Sequence, residues 1–252
     1  MNVVIIGTGN VATILGKLIK SKGHKIVEIV GRNKESAEFL AKTLNSTYTT
    51  DFSMITNLGD IYLIAVVDTA IEPIAKQLTL NNKLVIHTAG SVSMNVLNKI
   101  NNGYGVMWPL QTLRKEMKQI PTIPFVIDAN SETTYATLLS FTKSITDTVF
   151  RANDTKRIKL HLTAVMVSNF SNHLYALADD YCNKEDLDFK LFLPLIEETD
   201  KRIKTNAPKN VQTGPASRKD ESTINNHIML LKTYPSLQKL YQLMTDSIKE
   251  LG

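Results

Sequence analysis

Short, almost wholly apolar segments alternate with segments of helical periodicity through the first 90 residues of the chain. The apolar segments are rich in β-branched residues and span Val3–Ile6, Ile26–Val30, Ile61–Val67 and Leu84–His87. The helical segments span Asn10–Ser21, Glu35–Leu44 and Ile71–Leu78, and Tyr48 marks a short strand. Strands that are apolar on both faces are typical of parallel sheets covered by helices. The alternation therefore predicts a doubly wound α/β domain, to which Gly105–Trp108 and Phe125–Ile127 are candidate additional strands.

The second part of the chain has a different pattern. No strand is predicted after about Arg151, and Asp154–Tyr181 has the periodicity of one long helix with Asp154 as its N-cap. Further helices are predicted over Phe189–Lys204, Asp220–Thr233 and Ser236–Leu251. We therefore predict two domains, an α/β domain over residues 1–152 and an all-α domain over residues 153–252. The long loops 108–124 and 206–217 are expected to carry functional residues, because loops on a rigid frame usually do.

Composition and charge narrow the classes of function. The single cysteine, Cys182, excludes an intramolecular disulfide and suits a reducing cytoplasm. The chain begins without a basic flank before its first apolar segment, and its longest apolar run, Ile61–Val67, is far shorter than the ~20 residues of a membrane span. The net charge of +5 is spread along the chain: Lys and Arg exceed Asp and Glu by three in residues 1–150 and by two in residues 151–252, and no basic arm is present. We therefore expect a soluble cytoplasmic protein without a nucleic-acid or membrane partner, and the mild positive charge is equally compatible with binding an anionic small molecule.

The strongest local motif is the turn Gly7-Thr8-Gly9-Asn10-Val11-Ala12, which follows the first strand and opens the first helix. Gly7 permits the tight turn, Gly9 lets the backbone approach a pyrophosphate, and the small Ala12 lets the helix pack closely on the strand. The free N–H groups of the helix start then bind the phosphates. The turn predicts dinucleotide binding; the alternative is a glycine-rich turn that serves packing alone.

The residues after the second strand bear on which dinucleotide binds. Glu28 is the only acidic residue in that strand, and three residues that follow it place it roughly 10 Å from the edge where ligands bind. Arg32 and Asn33 lie at that edge instead. An arginine there can bind a 2′-phosphate with two N–H groups, which favours NADP over NAD. The alternative is that Arg32 is a solvated surface residue.

Motifs along the chain resemble known oxidoreductases. The glycine-rich turn, Arg32, Ala65-Val66-Val67-Asp68 and His87-Thr88-Ala89-Gly90-Ser91 are similar to the nucleotide-binding domains of pyrroline-5-carboxylate reductase and the 6-phosphogluconate dehydrogenase superfamily. A more specific resemblance, to a family provisionally assigned as NADP oxidoreductases, depends on His87–Ser91, Gly105–Thr112, Ser168–Tyr175 and Thr213–Asp220. In that family a Rossmann domain precedes a helical domain of unknown function 2520. The resemblance implies this fold, NADP as cofactor, and cofactor contacts from Val66, Val67, Ala89 and Gly90, but it supplies no substrate.

A polar stripe follows the predicted long helix. Positions 100° apart place His161, Ser168 and Asn172 along one side, with Asn169 at its margin, on an otherwise apolar helix. Such a stripe should face a cleft, a ligand or another subunit. In the resembling dehydrogenases this helix carries a catalytic lysine, whereas no lysine lies on the stripe here. We therefore predict His161 as general acid, with Ser168, Asn169 or Asn172 orienting the substrate; the alternative is a histidine held by a core or inter-subunit contact.

The loops after the fourth strand and before residue 124 supply further candidates. His87 ends the fourth strand where the nicotinamide is expected, which makes it the second candidate acid or else a histidine that fixes the loop. Ser91 can present its backbone to a substrate oxygen. Trp108-Pro109-Leu110-Gln111-Thr112 stands where the resembling reductases carry an active-site loop, so Pro109, Gln111 and Thr112 are candidate substrate contacts. Trp108 itself is more typical of a core residue.

In the second long loop, Gly214 and Arg218 match the family motif Thr213–Asp220. Arg218 near a helix start suits a carboxylate or phosphate of the substrate, and the alternative is a solvated turn. With one cysteine and no paired histidine and carboxylate spacing, no metal site is predicted.

These features predict a cytoplasmic NADP-dependent oxidoreductase that transfers hydride to a small carbonyl or imine. The helical domain is expected to form a homodimer, since such domains usually pair in the resembling reductases. The alternative is a sensor or scaffold that binds NADP(H) without turnover, because no complete catalytic motif is present.

Overall fold

A computed structural model describes residues 1–100 and 103–251 of the chain. The chain forms two compact units, Met1–Asn169 and Phe170–Gly252. The predicted domain boundary at residue 152 directly follows the last strand of the described chain, Val149–Arg151, and the first compact unit continues from there to Asn169.

The first unit is built on one eight-stranded sheet. Its strands are β1 (Asn2–Ile6), β2 (Lys25–Val30), β3 (Thr47–Thr49), β4 (Ile61–Ile64), β5 (Leu84–His87), β6 (Gly103–Pro109), β7 (Phe125–Ala129) and β8 (Val149–Arg151). Their order is β3-β2-β1-β4-β5-β6-β7-β8, and the β6–β7 pair alone is antiparallel. The predicted doubly wound α/β class is confirmed, and both candidate additional strands are present as β6 and β7.

Helices cover both faces of the sheet. They are α1 (Asn10–Ser21), α2 (Lys34–Leu44), α3 (Asp68–Ala75) and α4 (Glu132–Ile145). Alternate residues of β1 enter different core layers: Val3 and Ile5 pack with α1, α2 and α4, while Val4 and Ile6 pack with α3. Because Val3–Ile6 are all buried, this part of the strand is wholly apolar, which is the pattern that made the fold predictable.

Two boundaries near β4 differ from those predicted. The strand ends at Ile64 rather than Val67, and α3 begins at Asp68 rather than Ile71. Residues 65–67 therefore form the turn between them. The sequence pattern also predicted neither β8 nor α4. For α4 the reason is that its threonines have low helix propensity.

The predicted long helix contains an irregular turn. α5 spans Asp154–Ala164, a π-helical turn spans Val165–Phe170, and α6 spans Ser171–Lys184. The wider turn interrupts the 100° spacing on which the predicted polar stripe depends. The N-cap is Asn153, whose side chain accepts from the Lys156 backbone N–H, so the predicted cap at Asp154 is wrong by one residue.

The described part of the second unit contains helices joined by turns and loops, and no strand. After α6 come α7 (Leu193–Thr205), α8 (Glu221–Leu230) and α9 (Pro235–Leu251). Asp220 caps α8 through a bond from the Thr223 backbone N–H. Cys182 is a free, buried thiol. Within residues 1–100 and 103–251, no helix is both long enough and apolar enough to span a membrane.

Candidate functional site

A cavity of about 690 Å³ opens where the strand order reverses, beyond the carboxyl ends of β1, β2 and β4. Ligands of doubly wound sheets bind at this switch point. Most of its wall comes from three turns, which are residues 6–11, 30–33 and 65–67. Phe52, Ala70 and Ile74 complete the wall. The structure therefore brings together nine of the residues predicted to bind the cofactor: Gly7, Thr8, Gly9, Asn10, Val11, Arg32, Asn33, Val66 and Val67.

The two glycines of the turn have different physical tasks. Gly7 has φ +129°, and a Cβ added there would lie 2.1 Å from the Ala65 carbonyl oxygen, so the turn cannot form with a side chain at this position. At Gly9 an added Cβ meets no atom within 4 Å. The space beside Gly9 is therefore a cradle that a side chain would fill and that is open to a ligand.

The start of α1 has free hydrogen-bonding capacity. Its N-cap is Gly9, which has no side chain to cap the helix, and its first turn carries no acidic residue. By contrast, the Asn33 side chain caps α2 through the Ser36 backbone N–H at 2.8 Å. The unpaired N–H groups and the partial positive charge of α1 suit a phosphate group. Ala12 does not reach the cavity; it is fully buried against the sheet, which is the packing role predicted for it.

Arg32 lies exposed on the rim of the cavity and makes no hydrogen bond or ion pair with any other described residue. Its guanidinium is therefore available to an anion. Glu28 is buried within β2 and accepts a hydrogen bond from the Thr56 backbone N–H at 2.8 Å, and burial raises the pKa of this carboxyl. This placement agrees with the interpretation that Glu28 does not reach the ligand edge.

A second group of predicted residues meets at the ends of β5 and β6, next to the cavity strands. The indole of Trp108 and the imidazole of His161 lie 5.6 Å apart between ring centroids. Both rings pack on Gly90, where an added Cβ would lie 2.6 Å from His161 Cδ2 and 2.7 Å from the Trp108 ring. Trp108 is buried, whereas His161 is half-buried. His161 is therefore partly accessible and held against the loop that follows β5.

The loop after β6 links this group to the glycine-rich turn. The Thr112 and Ser168 hydroxyls are hydrogen-bonded at 3.0 Å, and both residues are exposed. Three residues further along, the backbone N–H of Lys115 donates to Asn10 Oδ1 at 3.1 Å. Gln111 is exposed and accepts from the Thr112 backbone N–H. The same loop thus contacts a residue of the cavity wall and a residue of the predicted polar stripe.

His87 is fully buried, and its Nδ1 accepts a hydrogen bond from the Ala89 backbone N–H at 3.2 Å. Burial, followed by the charge of Arg157, lowers the pKa of His87 to about 4, although Asp154, the Ser93 backbone and Asp68 oppose this shift. A neutral imidazole with no exposed surface is poorly suited to donate a proton to a substrate at neutral pH. The geometry therefore favours the alternative that His87 fixes the loop.

This buried histidine predicts a loss of stability in acid. Between pH 6.5 and pH 4 the unfolded chain binds a proton at His87 that the folded chain does not, so the free energy of unfolding falls as the pH falls through this range. At pH 4.5 the loss is about 2–3 kcal/mol relative to pH 7. Urea unfolding of wild type and His87→Asn at both pH values measures it, and the variant should show a smaller difference between the two pH values. Equal differences would contradict the assignment.

The remaining predicted residues are more scattered. Ala89 and Pro109 are buried, and Asn169 is exposed. The Ser91 hydroxyl donates to Asp68 at the start of α3. In the second unit, Asn172 is exposed, Gly214 has φ +105°, and Arg218 forms an ion pair with Asp220 at 3.2 Å. Arg218 therefore already has an acidic partner within its own turn.

Comparison with known proteins assigns the family. Residues 123–248, half of the chain, match the model described as domain of unknown function DUF2520. Residues 2–90 match the model described as NADP oxidoreductase, coenzyme F420-dependent. A solved structure from Bacteroides fragilis, provisionally described as an NADP oxidoreductase, shares 38% identity and a TM-score of 0.91, covering 99% of this chain and 98% of that one. The chain belongs to the DUF2520 family. The more specific resemblance predicted from the motifs, to this family, is confirmed.

More distant structures share the fold of this DUF2520 protein. A pyrroline-5-carboxylate reductase from Streptococcus pyogenes has 15% identity and a TM-score of 0.66, covering 99% of this chain and 98% of that one. An imine reductase from Myxococcus stipitatus in complex with NADP⁺ has 16% identity and a TM-score of 0.65, covering 99% and 93%. No curated protein matches the sequence. The comparisons support NADP(H) as the cofactor predicted from the sequence, and the open cradle at Gly9 and the free Arg32 fit such a group.

Seven lining residues were not predicted as cofactor contacts: Ile6, Val30, Gly31, Phe52, Ala65, Ala70 and Ile74. Phe52 lies on a short turn, and Ala70 and Ile74 lie on α3. Apolar residues of this kind give no signal in a sequence, because ordinary core residues have the same character.

Proposed function

We propose that this protein is an NADP-dependent oxidoreductase that reduces a small carbonyl or imine. The observation that carries the proposal is that the open glycine turn follows β1 and that the Gly90 loop, on which the half-buried His161 packs, follows β5, so both lie at the carboxyl ends of parallel strands of one sheet. Gly7–Val11 would bind the pyrophosphate, and Arg32 and Asn33 would bind the 2′-phosphate end of the coenzyme. Val66 and Val67 would form the adjacent wall of the site. Bound NADPH supplies the hydride.

The chain's own residues then orient and protonate the substrate. His161 is the proposed proton donor, because it is partly accessible and held in a fixed place against Trp108. The hydroxyls of Thr112 and Ser168 are the proposed hydrogen-bond partners of the substrate oxygen or nitrogen. A positioned acid of this kind contributes typically 10²–10⁴-fold to the rate.

The proposal is tested by pairing a binding titration with a turnover screen. NADPH binding is followed by energy transfer from Trp108, the only tryptophan. NADPH oxidation is then measured with keto acids, aldehydes, cyclic imines and coenzyme F420, the last because residues 2–90 match the model so described. We expect binding and turnover with one carbonyl or imine class, and His161→Asn should reduce kcat about 100-fold or more while leaving NADPH affinity unchanged. Tight binding without turnover on any class would favour the sensor or scaffold instead.

We also propose a homodimer formed through the helical unit. Several of its large apolar side chains are exposed, among them Leu191, Leu195, Met229, Leu230 and Leu243. Exposed apolar surface of this extent is typical of a subunit interface. Sedimentation equilibrium at micromolar concentration should give twice the 28.1 kDa chain mass, and a single-chain mass at all concentrations would contradict the proposal.

A further inference from the structure

α5 contacts the loop that follows β5 through three residues on one face. The Asp154 carboxylate accepts from the Ser93 hydroxyl and, at 3.2 Å, from the Met94 backbone N–H. Arg157 donates through Nη2 to the Val92 carbonyl and lies 2.7 Å from Asp154 Oδ1. One turn further, His161 packs on Gly90. Positions i, i+3 and i+7 share one helix face, so the helix follows the loop residue by residue in the opposite direction.

Arg157 is an unusual residue to find in this place. It is 1% exposed, and its Nε and Nη1 atoms are buried with no hydrogen-bond partner. Unpaired buried donors destabilise a fold, and replacing a buried ion pair by well-packed apolar residues is often neutral or stabilising. Stability alone therefore does not account for a guanidinium here.

Apolar packing holds α5 against the sheet but does not fix its position along its own axis. Leu160 and Ala164 pack on a small core of Val106, Trp108, Val126 and Ala152. Such contacts are non-directional. The π-helical turn begins immediately after α5, at Val165, so the downstream end of α5 is irregular. The directional bonds of Asp154 and Arg157 are those that can set the axial position of the helix.

We propose that Asp154 and Arg157 are positioning residues that fix His161 at its place over Gly90. The two residues bind the first turn of α5 to the Val92 carbonyl, the Ser93 hydroxyl and the Met94 N–H, and this sets the position along the helix axis of the His161 ring, four residues after Arg157. The consequence for proton donation rests on the proposed function, whereas the positioning itself does not.

The experiment uses the whole protein without coenzyme and compares Arg157→Met, Arg157→Lys and Asp154→Asn with wild type. Arg202→Met is the matched control, because Arg202 forms an exposed ion pair with Glu198 on α7. Histidine ring NMR reports the shift that Trp108 induces in His161, and amide exchange reports the Met94 N–H. The chain has five histidines, which keeps the spectrum assignable.

We expect Arg157→Met to move the His161 ring signals toward those of free imidazole and to speed Met94 exchange about tenfold or more, with a Tm loss on the order of 5–10 °C. In Arg157→Lys the His161 ring shift and the Met94 exchange rate should lie between those of wild type and Arg157→Met. Arg202→Met should change neither of them. If Arg157→Met does not fold, Asp154→Asn preserves the side-chain volume and provides the same two readouts. NADPH affinity should stay within about threefold of wild type, because neither residue lines the cavity.

A lowered Tm with unchanged His161 signals and unchanged Met94 exchange would overturn the proposal and leave the pair a purely stabilising contact. Absence of NADPH binding by the wild type would refute the proposed function but would leave these readouts and their interpretation intact. Once a substrate is known, a loss in kcat at constant KM for NADPH is the expected kinetic signature of the variants.

Discussion

Gly9→Ala is expected to abolish tight NADPH binding without weakening the fold. The added methyl group meets no protein atom within 4 Å, so the folded chain accommodates it. It occupies the space beside the uncapped N-terminus of α1, where the pyrophosphate is proposed to bind. Losing one or two charge-assisted hydrogen bonds raises Kd about 100-fold or more. Isothermal titration with NADPH measures the loss, and Gly9→Asp should bind still more weakly because it adds a negative charge.

Gly7→Ala provides the contrast for this experiment. Its methyl group would lie 2.1 Å from the Ala65 carbonyl oxygen, and the residue has a φ that favours glycine. We therefore expect Gly7→Ala to lower the Tm, whereas Gly9→Ala keeps it within about 2 °C of wild type. Normal NADPH affinity in a folded Gly9→Ala protein would show that the cradle is not the coenzyme site.

Arg32→Ala is expected to remove the preference for NADPH over NADH. The guanidinium lies on the cavity rim without an acidic partner, so its charge is available to the 2′-phosphate. A charge-assisted hydrogen bond is worth about 1.5–3 kcal/mol, which corresponds to a rise in the Kd of NADPH of roughly 10–100-fold. NADH has no 2′-phosphate, and its Kd should change by less than about threefold.

Both affinities are measured by titration at one salt concentration, because the interaction is electrostatic. Arg202→Ala removes one exposed arginine from the helical unit and should alter neither Kd. Equal losses for NADPH and NADH in Arg32→Ala would contradict the assignment of the 2′-phosphate to this residue.

The parts of the fold that the sequence predicted are those in which local pattern and tertiary environment agree. β1 is apolar from Val3 to Ile6 because Val3 and Val4 enter opposite core layers. The glycine turn was predictable because its constraint is local, as the φ of Gly7 shows. By contrast, α4 contains several threonines, which have low helix propensity. The formation of α4 depends instead on the packing of Leu138 and Phe141 against the sheet.

The candidate site was predicted less completely, because its remaining features depend on contacts between distant segments. The packing of Trp108 and His161 on Gly90 joins residues far apart in the chain. Arg157 gave no signal, since a single charged residue on a helix is usually solvated. The π-helical turn at Val165 changed the face on which the later polar residues lie, and no residue type marks such a turn in advance.

The hydrogen bond from Lys115 to Asn10 has a consequence for how a ligand enters. The segment between Thr112 and Lys115 is fastened at one end to Ser168 and at the other to the first residue of α1. Each bond contributes only about 0.5–1.5 kcal/mol, whereas exposing Leu113, which lies between them in the main core, would cost about 1.5–3 kcal/mol. A coenzyme that displaces the Lys115 N–H from Asn10 Oδ1 would release one end of this segment. The coenzyme and the substrate would then bind in a fixed order.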